Sequence, residues 1–353
     1  MILRNKTILV TGGTGSMGKT FVRRALSGEC GKPKKILVFS RDEAKQHEMR
    51  LSLQHKSRTT DETIYRNFMN VVEFRIGDVR DYASVCSAVK HADIVVNAAA
   101  LKQVPSCEYF PNEAIMTNCI GAYNIVRAIE EHDFPVKTVV GISTDKACKP
   151  VNVMGMTKSL QERIFVSANI MQPSTRFIGV RYGNVLASRG SVIPLFHEQI
   201  LRGGPLTVTV PDMTRFLLSL NSAVDTVFAA IKGAHPGEIY VPNAPAATVM
   251  NIAKALIGTR KIAIKVTGIR PGEKMHEIMV SEEEVHHCAR RGSYYAIKSM
   301  LPELASRREP NALKKEFSSA DSAISYDATV KLLKNHGLLI DDAPQFADGE
   351  LLR

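Results

Sequence analysis

From Lys6 to Val185 one unit recurs: a short apolar run, then an amphipathic stretch of helical length. "KTILVTG" is followed by "GKTFVRRALSG", "KKILVFS" comes next, and "VVEFRIGDV" leads into "YASVCSAVK". "ADIVVNAAA" precedes a long helix over "NEAIMTNCIGAYNIVRAIEEH", "VKTVVGIST" precedes another over "GMTKSLQERIFVSAN", and "TRFIGVRYGNV" closes the series. Runs that are apolar throughout, rather than alternating, belong to strands covered on both faces, and parallel neighbours need crossovers as long as these helices. The pattern predicts right-handed βαβ units and a doubly wound parallel sheet, an α/β fold. Beyond Asn184 turn residues dominate, in "ASRGSVIP", "RGGPLTVT" and "PDMTRF", before a helix over "AVDTVFAAIKGA" and short strands in "GEIYVPN" and "KIAIKVTG". The expected division is a main domain over residues 1–185, to which 216–258 return, and a smaller C-terminal domain over 186–215 and 259–353.

Composition narrows the class. The chain has 353 residues, of which 44% are hydrophobic and 23% charged, ordinary for a globular protein. No stretch reaches the roughly 20 apolar residues of a membrane-spanning helix. The opening "MILRNKTILVTGG" runs straight from an apolar strand into glycines and does not read as a secretion signal. Six cysteines are scattered without a Cys-x-x-Cys pair, which points to reduced thiols, a cytoplasmic location and no metal site. The net charge of +11 raises the question of nucleic acid, but no nucleic-acid motif accompanies the basic stretches and there is no tryptophan. Solvated basic faces and a pocket for a polyphosphate ligand account for the charge better.

The segment "TILVTGGTGSMGKT" sets a glycine cluster between the first strand and the first helix. Such a turn lets a pyrophosphate approach the backbone, and the helix N-terminus meets it with free N–H groups. This is the phosphate turn of a Rossmann-type fold, and it assigns Gly12, Thr14, Gly15, Ser16, Met17 and Gly18 to a dinucleotide. The second strand ends in Ser40 and Arg41, with Lys45 following, and this hydroxyl-and-cation set favours a 2′-phosphate, hence NADP. Asp42 and Glu43 fall one or two positions late and read as caps. Asp78, with Val79, is placed to hold the adenine, and Ala98 and Lys102 lie beside the ribose and nicotinamide. Taken singly, Asp78 would be a turn residue and Lys102 a solvated charge.

One departure stands out in "STDKACKPVNVMGMTKSL": Lys158 is present, but Met154 lies four residues before it, where many dinucleotide enzymes carry a tyrosine. The stretches "TGGTGSMGK", "FSRDEAKQHEMR", "GDVRD", "AAALKQVPSCEYFPNEA", "TN", "STDKA", "RYGNVLASRGSVIPLF", "LTVTVPDMTRFLLSL" and "RPGEKMHE" together resemble the extended short-chain dehydrogenase/reductases. Within them the chain looks like the UDP-N-acetylglucosamine 4,6-dehydratases of the 5-inverting type, in the capsule-associated branch that has methionine for tyrosine. The resemblance extends to about residue 280.

That resemblance implies NADP-dependent conversion of a UDP-N-acetylhexosamine to a 4-keto-6-deoxy sugar nucleotide, for surface polysaccharide, by a homo-oligomer that neither binds nucleic acid nor enters a membrane. It assigns the acid at C6 to Asp145 and the base at C5 to Lys146, both just after the fifth strand, where ligands of parallel sheets collect. As a base Lys146 must be a neutral amine, and burial beside other cations is the expected means. Thr144 would bond the C4 oxygen, Lys158 would anchor the nicotinamide ribose, and Met154 is read as packing. Lys102, Asn184, Val185, Arg189, Arg215, Arg270 and Glu273 would hold the UDP-sugar, arginine being suited to a diphosphate. A UDP-sugar 4-epimerase is the alternative, because it shares the first oxidation and most of the binding residues.

Overall fold

The computed structural model describes residues 1–54, 68, 70–186, 191–304 and 309–341. The apolar runs form strands β1 (Thr7–Thr11), β2 (Lys35–Ser40), β3 (Val72–Ile76), β4 (Ile94–Asn97), β5 (Thr138–Thr144) and β6 (Arg176–Tyr182). They pair parallel in the order β3-β2-β1-β4-β5-β6, and a seventh parallel strand, β10 (Ile239–Pro242), extends the sheet beside β6. The order reverses at β1, so a crevice opens beyond the carboxyl ends of β1 and β4. This is the expected α/β, Rossmann-like sheet. Apolar residues cover both its faces: Ile8, Val10, Ile36 and Val96 belong to one cluster, Leu9, Leu37, Val95 and Val139 to the other.

The domain boundaries differ from the sequence reading in two places. The antiparallel pair β14 (Cys288–Arg291) and β15 (Tyr294–Ile297) adds to the edge of the main sheet through β10, although 259–353 reads as smaller domain and tail. Conversely, Ala247, Val249, Ile252, Ala253 and Leu256 leave the main domain for a second core with Ile193, Phe196, Leu206, Leu333 and Leu338. Between the two cores lies a small sheet of β7 (Asn184–Val185), β9 (Thr214–Leu218) and β11 (Ala246–Thr248), and β8 (Leu206–Val208) pairs parallel with β12 (Ile264–Val266). Among the described residues no helix is long and apolar enough to cross a membrane.

A buried charge cluster fastens the C-terminal segment to the sheet. Arg181, on β6, is 1% exposed. Its guanidinium donates to Glu162 Oε1 at 3.0 Å and Oε2 at 2.7 Å, and to Glu284 Oε2 at 2.7 Å and Oε1 at 2.8 Å. Glu162 lies on the helix Val153–Met171, and Glu284 on the short helix Glu282–Val285, whose Ser281 cap is reciprocated by Glu284. Arg181 also donates to the Met279 carbonyl at 2.8 Å, on β13 (Ile278–Val280). One planar fork thus joins helix, sheet and returning chain, and it brings residues 275–280 to the carboxyl ends of β5 and β6.

Candidate functional site

At the end of β1, Thr11 Oγ1 donates to Asn97 Oδ1 at 2.6 Å and accepts from Ala99 N–H at 3.3 Å, which couples β1 to β4 at the mouth of the crevice. Gly12 has φ of +62°, and a Cβ there would lie 2.7 Å from Ala98 O and Ala99 N. The chain can turn this closely only as glycine. The helix Ser16–Ser27 then starts with Gly15 as cap and no side chain accepting its first N–H groups. Gly12, Thr14, Gly15, Ser16, Met17 and Gly18 therefore present an anion cradle beside Ala98, and this geometry fits a dinucleotide pyrophosphate.

At the end of β2, Ser40 is buried, and its hydroxyl and carbonyl both accept from Gln46 Nε2, at 3.1 Å and 3.0 Å. Asp42 Oδ1 accepts from Lys45 N–H at 3.0 Å and its carboxylate pairs with Lys45 Nζ, so it caps the helix and is not turned to a ribose. The Arg41 guanidinium is 52% exposed and 3.7 Å from Asp78. Asp78 is held by Arg80 at 2.9 Å and 2.7 Å; burial works against its charge, and the Arg80 bonds overcome that and keep its carboxyl below the usual range. Val79 is buried, its side chain against Gly121.

The densest chemistry follows β5. Asp145–Ala147 form a single 3-10 turn, capped by Thr144, whose hydroxyl donates to Asp145 Oδ1 at 2.9 Å and accepts from Lys146 N–H at 3.4 Å. The helix Val153–Met171 packs against this turn so closely that a Cβ at Gly155 would lie 2.2 Å from the Lys146 carbonyl oxygen. Lys146 Nζ meets three acceptors: Asp145 Oδ1 at 3.0 Å, Asn184 Oδ1 at 3.2 Å and Glu277 Oε1 at 3.2 Å. The first two contacts are hydrogen bonds and the third is an ion pair. Asp145 is 0% exposed and Glu277 2%. Their other oxygens, Asp145 Oδ2 and Glu277 Oε2, are buried with no hydrogen-bond partner. Such orphaned acceptors are costly in a folded protein.

The electrostatics correct one expectation. Burial pushes the Asp145 carboxyl up, Lys146 opposes this, and the Glu277 charge adds to the rise. Burial alone would lower Lys146, but Asp145 and Glu277 outweigh it, and the amine is raised above its ordinary value. The sequence reading required neighbouring cations to neutralise Lys146; the structure surrounds it with carboxylates instead. The lysine that burial does lower is Lys158, from 10.5 to about 8. Its Nζ donates to Gln161 Oε1 at 2.7 Å.

Met154 is 4% exposed and packs with Cys107 and Ala114, flanked by Leu101, Val104 and Val153. It fills a small apolar cluster. Beside it, residues 115–120, expected as continuous α-helix, widen into a π-helical turn. That turn buries Asn118, whose Nδ2 donates to Leu101 O at 3.0 Å and Thr157 Oγ1 at 2.9 Å. π-turns are frequent at functional sites, and this one fixes the start of the segment carrying Lys102.

The expected substrate residues divide. Asn184 joins the Lys146 cluster, and Val185 is half-buried next to it. Arg215 is buried, with Nη1 donating to Thr214 O at 2.7 Å and Nε 3.9 Å from Glu277. It faces the Asp145–Lys146–Glu277 cluster. Arg270 is exposed on its loop, where Glu273 Oε2 accepts its N–H at 3.3 Å, and Lys102 is exposed as well. Asn152 Nδ2 reaches Gly272 O at 2.7 Å and holds that loop over the helix N-terminus. Arg189 lies outside the described residues. Sequence reasoning missed Glu277, although "RPGEKMHE" contains it, and Lys274, whose Nζ donates to Cys148 O at 2.6 Å.

Residues 8–299 match the family described as polysaccharide biosynthesis protein. The chain is 45% identical over 298 residues, 83% of either chain, to a UDP-glucose 4-epimerase of Rickettsia bellii (strain OSU 85-389). Among solved structures, Pen from Bacillus thuringiensis superposes with a TM-score of 0.84 at 34% identity, over 96% of this chain and 100% of that one. The dTDP-glucose 4,6-dehydratase DesIV of Streptomyces venezuelae superposes with a TM-score of 0.64 at 19% identity, over 76% of this chain and 86% of that one. The last likeness is one of fold.

Lys158 yields a stability test. Its folded value, about 8, lies below the ordinary 10.5, so between these limits the unfolded chain binds more protons and stability rises with pH. Below about 8 the buried ammonium costs the fold its full penalty. In the ligand-free protein, Lys158→Met is expected to raise unfolding free energy at neutral pH by roughly 1–3 kcal/mol, with the gain fading toward pH 10.5. Urea unfolding at both pH values checks this; a variant less stable than wild type at neutral pH would contradict it.

Proposed function

The chain belongs to the polysaccharide biosynthesis protein family, and we propose that it is an NADP-dependent 4,6-dehydratase of a UDP-N-acetylhexosamine, UDP-N-acetylglucosamine being the expected substrate. The observation that carries this reading is the buried Asp145–Lys146–Glu277 cluster with its two unpartnered carboxylate oxygens at the carboxyl end of β5. Oxidation and reduction at one carbon need a single group that takes and returns a hydroxyl proton. An acid and a base side by side serve an elimination across two carbons.

A bound nicotinamide would supply the hydride acceptor and donor. The chain's own residues move the protons. Once C4 is a ketone, the C5 proton is acidic. Lys146, as the amine, takes that proton, while Asp145, as the acid, gives its own to the C6 oxygen, which leaves as water. The pair begins with one proton on Asp145 and ends with one on Lys146, so its charge is unchanged. Inversion requires the proton that returns to C5 to arrive from the opposite face, from solvent and not from Lys146, and it balances the proton that the C4 hydroxyl releases to solvent on oxidation. Thr144, whose hydroxyl caps the turn, would bond the C4 oxygen. Arg215 and Asn184 would border the sugar, and Arg270, Glu273 and Lys102 would hold the UDP diphosphate and ribose. Lys158 anchors the cofactor ribose, and its low value keeps it close to its titration point near neutral pH.

A 4-epimerase is the second reading, favoured by the name of the 45% identical Rickettsia relative. The two separate in one experiment: the product formed from UDP-N-acetylglucosamine in D₂O, followed by NMR. The dehydratase gives a 4-keto-6-deoxy sugar nucleotide with deuterium at C5. A product that keeps its C6 hydroxyl and differs only at C4 would establish the epimerase.

NADP is preferred because Arg41 is half-exposed at the end of β2, while Asp42 is committed to Lys45. Arg41→Ala is expected to weaken NADP binding about 10- to 100-fold, the value of a charge-assisted bond, and to leave NAD nearly unaffected. Equal losses in a titration of both cofactors would contradict this assignment.

A further inference from the structure

Lys146 sits between two carboxylates, of which Asp145 alone is needed as an acid at C6. Glu277 approaches the same ammonium, 3.2 Å away, from the returning segment before β13. Its backbone is held on both sides of the peptide: Glu277 N–H donates to Ser319 Oγ at 2.9 Å, and Ser319 N–H donates to the Glu277 carbonyl at 2.8 Å. The side chain is therefore fixed and buried. The charged groups around it come from every element packed there: Asp145 and Lys146 on the 3-10 turn, Arg215 on β9 at 3.9 Å, and Lys274 on the preceding loop. Asn184, from β7, contributes a neutral oxygen to the same ammonium. Next to Glu277 in sequence, His276 turns away to Thr214, 2.8 Å from its Nδ1. Burial opposes the charge of Glu277, but Lys146, Arg215 and Lys274 together hold it ionised.

An ionised carboxylate at this place has a definite effect on its neighbours. The elimination consumes the pair in one state only, with a single proton on Asp145 and none on Lys146. That state is reached from the resting ion pair by proton transfer across their 3.0 Å contact. The transfer conserves charge and needs no outside donor, provided that the pair has not lost its proton to solvent. We propose that Glu277 is a positioning residue that retains the single proton shared by Asp145 and Lys146, so that each turnover starts from the singly protonated pair. This inference rests on the dehydratase reading. Asn184 orients the amine but cannot hold the proton, and Arg215 and Lys274 fix the charge of Glu277 without touching Lys146.

The test compares wild type, Glu277→Gln and Glu277→Asp in the full-length protein, with two readouts. The first needs no substrate: the pH titration of the Lys146 side chain by NMR of ¹³Cε-labelled lysine, assigned with Lys146→Arg. The second is the alkaline limb of the kcat profile with UDP-N-acetylglucosamine. In Glu277→Gln both are expected to move to lower pH by about 1–3 units, the effect of one charge at contact distance. Glu277→Asp, with its carboxylate withdrawn by one methylene, should move both in the same direction by less, and KM should change little in either variant. A loss of kcat at all pH values with an unmoved Lys146 titration would make Glu277 merely structural and overturn the proposal. If Glu277→Gln does not fold, an unshifted Lys146 in Glu277→Asp overturns it equally. A wild-type product that keeps its C6 hydroxyl would sink the dehydratase reading, while the NMR titration still decides the role of Glu277.

Discussion

The fork of Arg181 between Glu162 and Glu284 is the interaction on which the site depends. Three charges out of water carry a heavy desolvation cost, and a triad of this kind seldom adds net stability. Removing one member is another matter, because it leaves an uncompensated buried charge. What the triad provides is position. Glu162 comes from the helix that carries Met154 and Lys158, Arg181 from β6, and Glu284 from a segment that returns after the second core. The bond from Arg181 to the Met279 carbonyl fixes the chain two residues beyond Glu277. Without that fastening, nothing in the parallel sheet itself would bring a second acidic side chain to Lys146, beside its neighbour Asp145.

From this follows the way the site manages without a tyrosine beside Lys158. Met154 fills an apolar niche, and the proton-bearing groups are gathered instead at the end of β5. There, burial and like charge raise Asp145, while two carboxylates raise Lys146. The two effects cooperate: each tends to keep a proton within the pair, and the acid and the base differ only in which atom holds it. The buried oxygens Asp145 Oδ2 and Glu277 Oε2 are acceptors without donors, and under the proposed dehydratase reading a substrate hydroxyl is the donor they await. The cost of leaving them bare is part of what substrate binding relieves.

The sequence made the first six strands and the glycine turn readable, because fully apolar runs and a glycine that backbone contact requires leave few alternatives. The hairpin β14–β15 was hidden by its composition: "CARRGSYYAI" mixes basic and aromatic residues at an edge of the sheet, where one side meets solvent. The shift of residues 247–257 to the second core was equally hidden, since an amphipathic helix does not announce which core receives its apolar face. The π-turn at 115–120 keeps helical composition, so only the burial of Asn118 reveals it. Asp145 and Lys146 were singled out by the family resemblance, because an Asp-Lys pair after a strand, taken alone, reads as a solvated turn. The charge state of Lys146 was not legible, because it is set by Glu277, which is distant in sequence and brought near only by the Arg181 fastening.

The central claim is that proton transfer resides in the turn after β5 and that Met154 only packs. The most direct measurement is the turnover of UDP-N-acetylglucosamine by Lys146→Ala and by Met154→Leu, each checked for intact UDP-sugar and NADP binding. The account predicts a loss of about 10²-fold or more for Lys146→Ala, the usual contribution of a positioned general base, and a change of only a few-fold for Met154→Leu. Near-normal turnover in Lys146→Ala, or an equal loss in both variants, would contradict it.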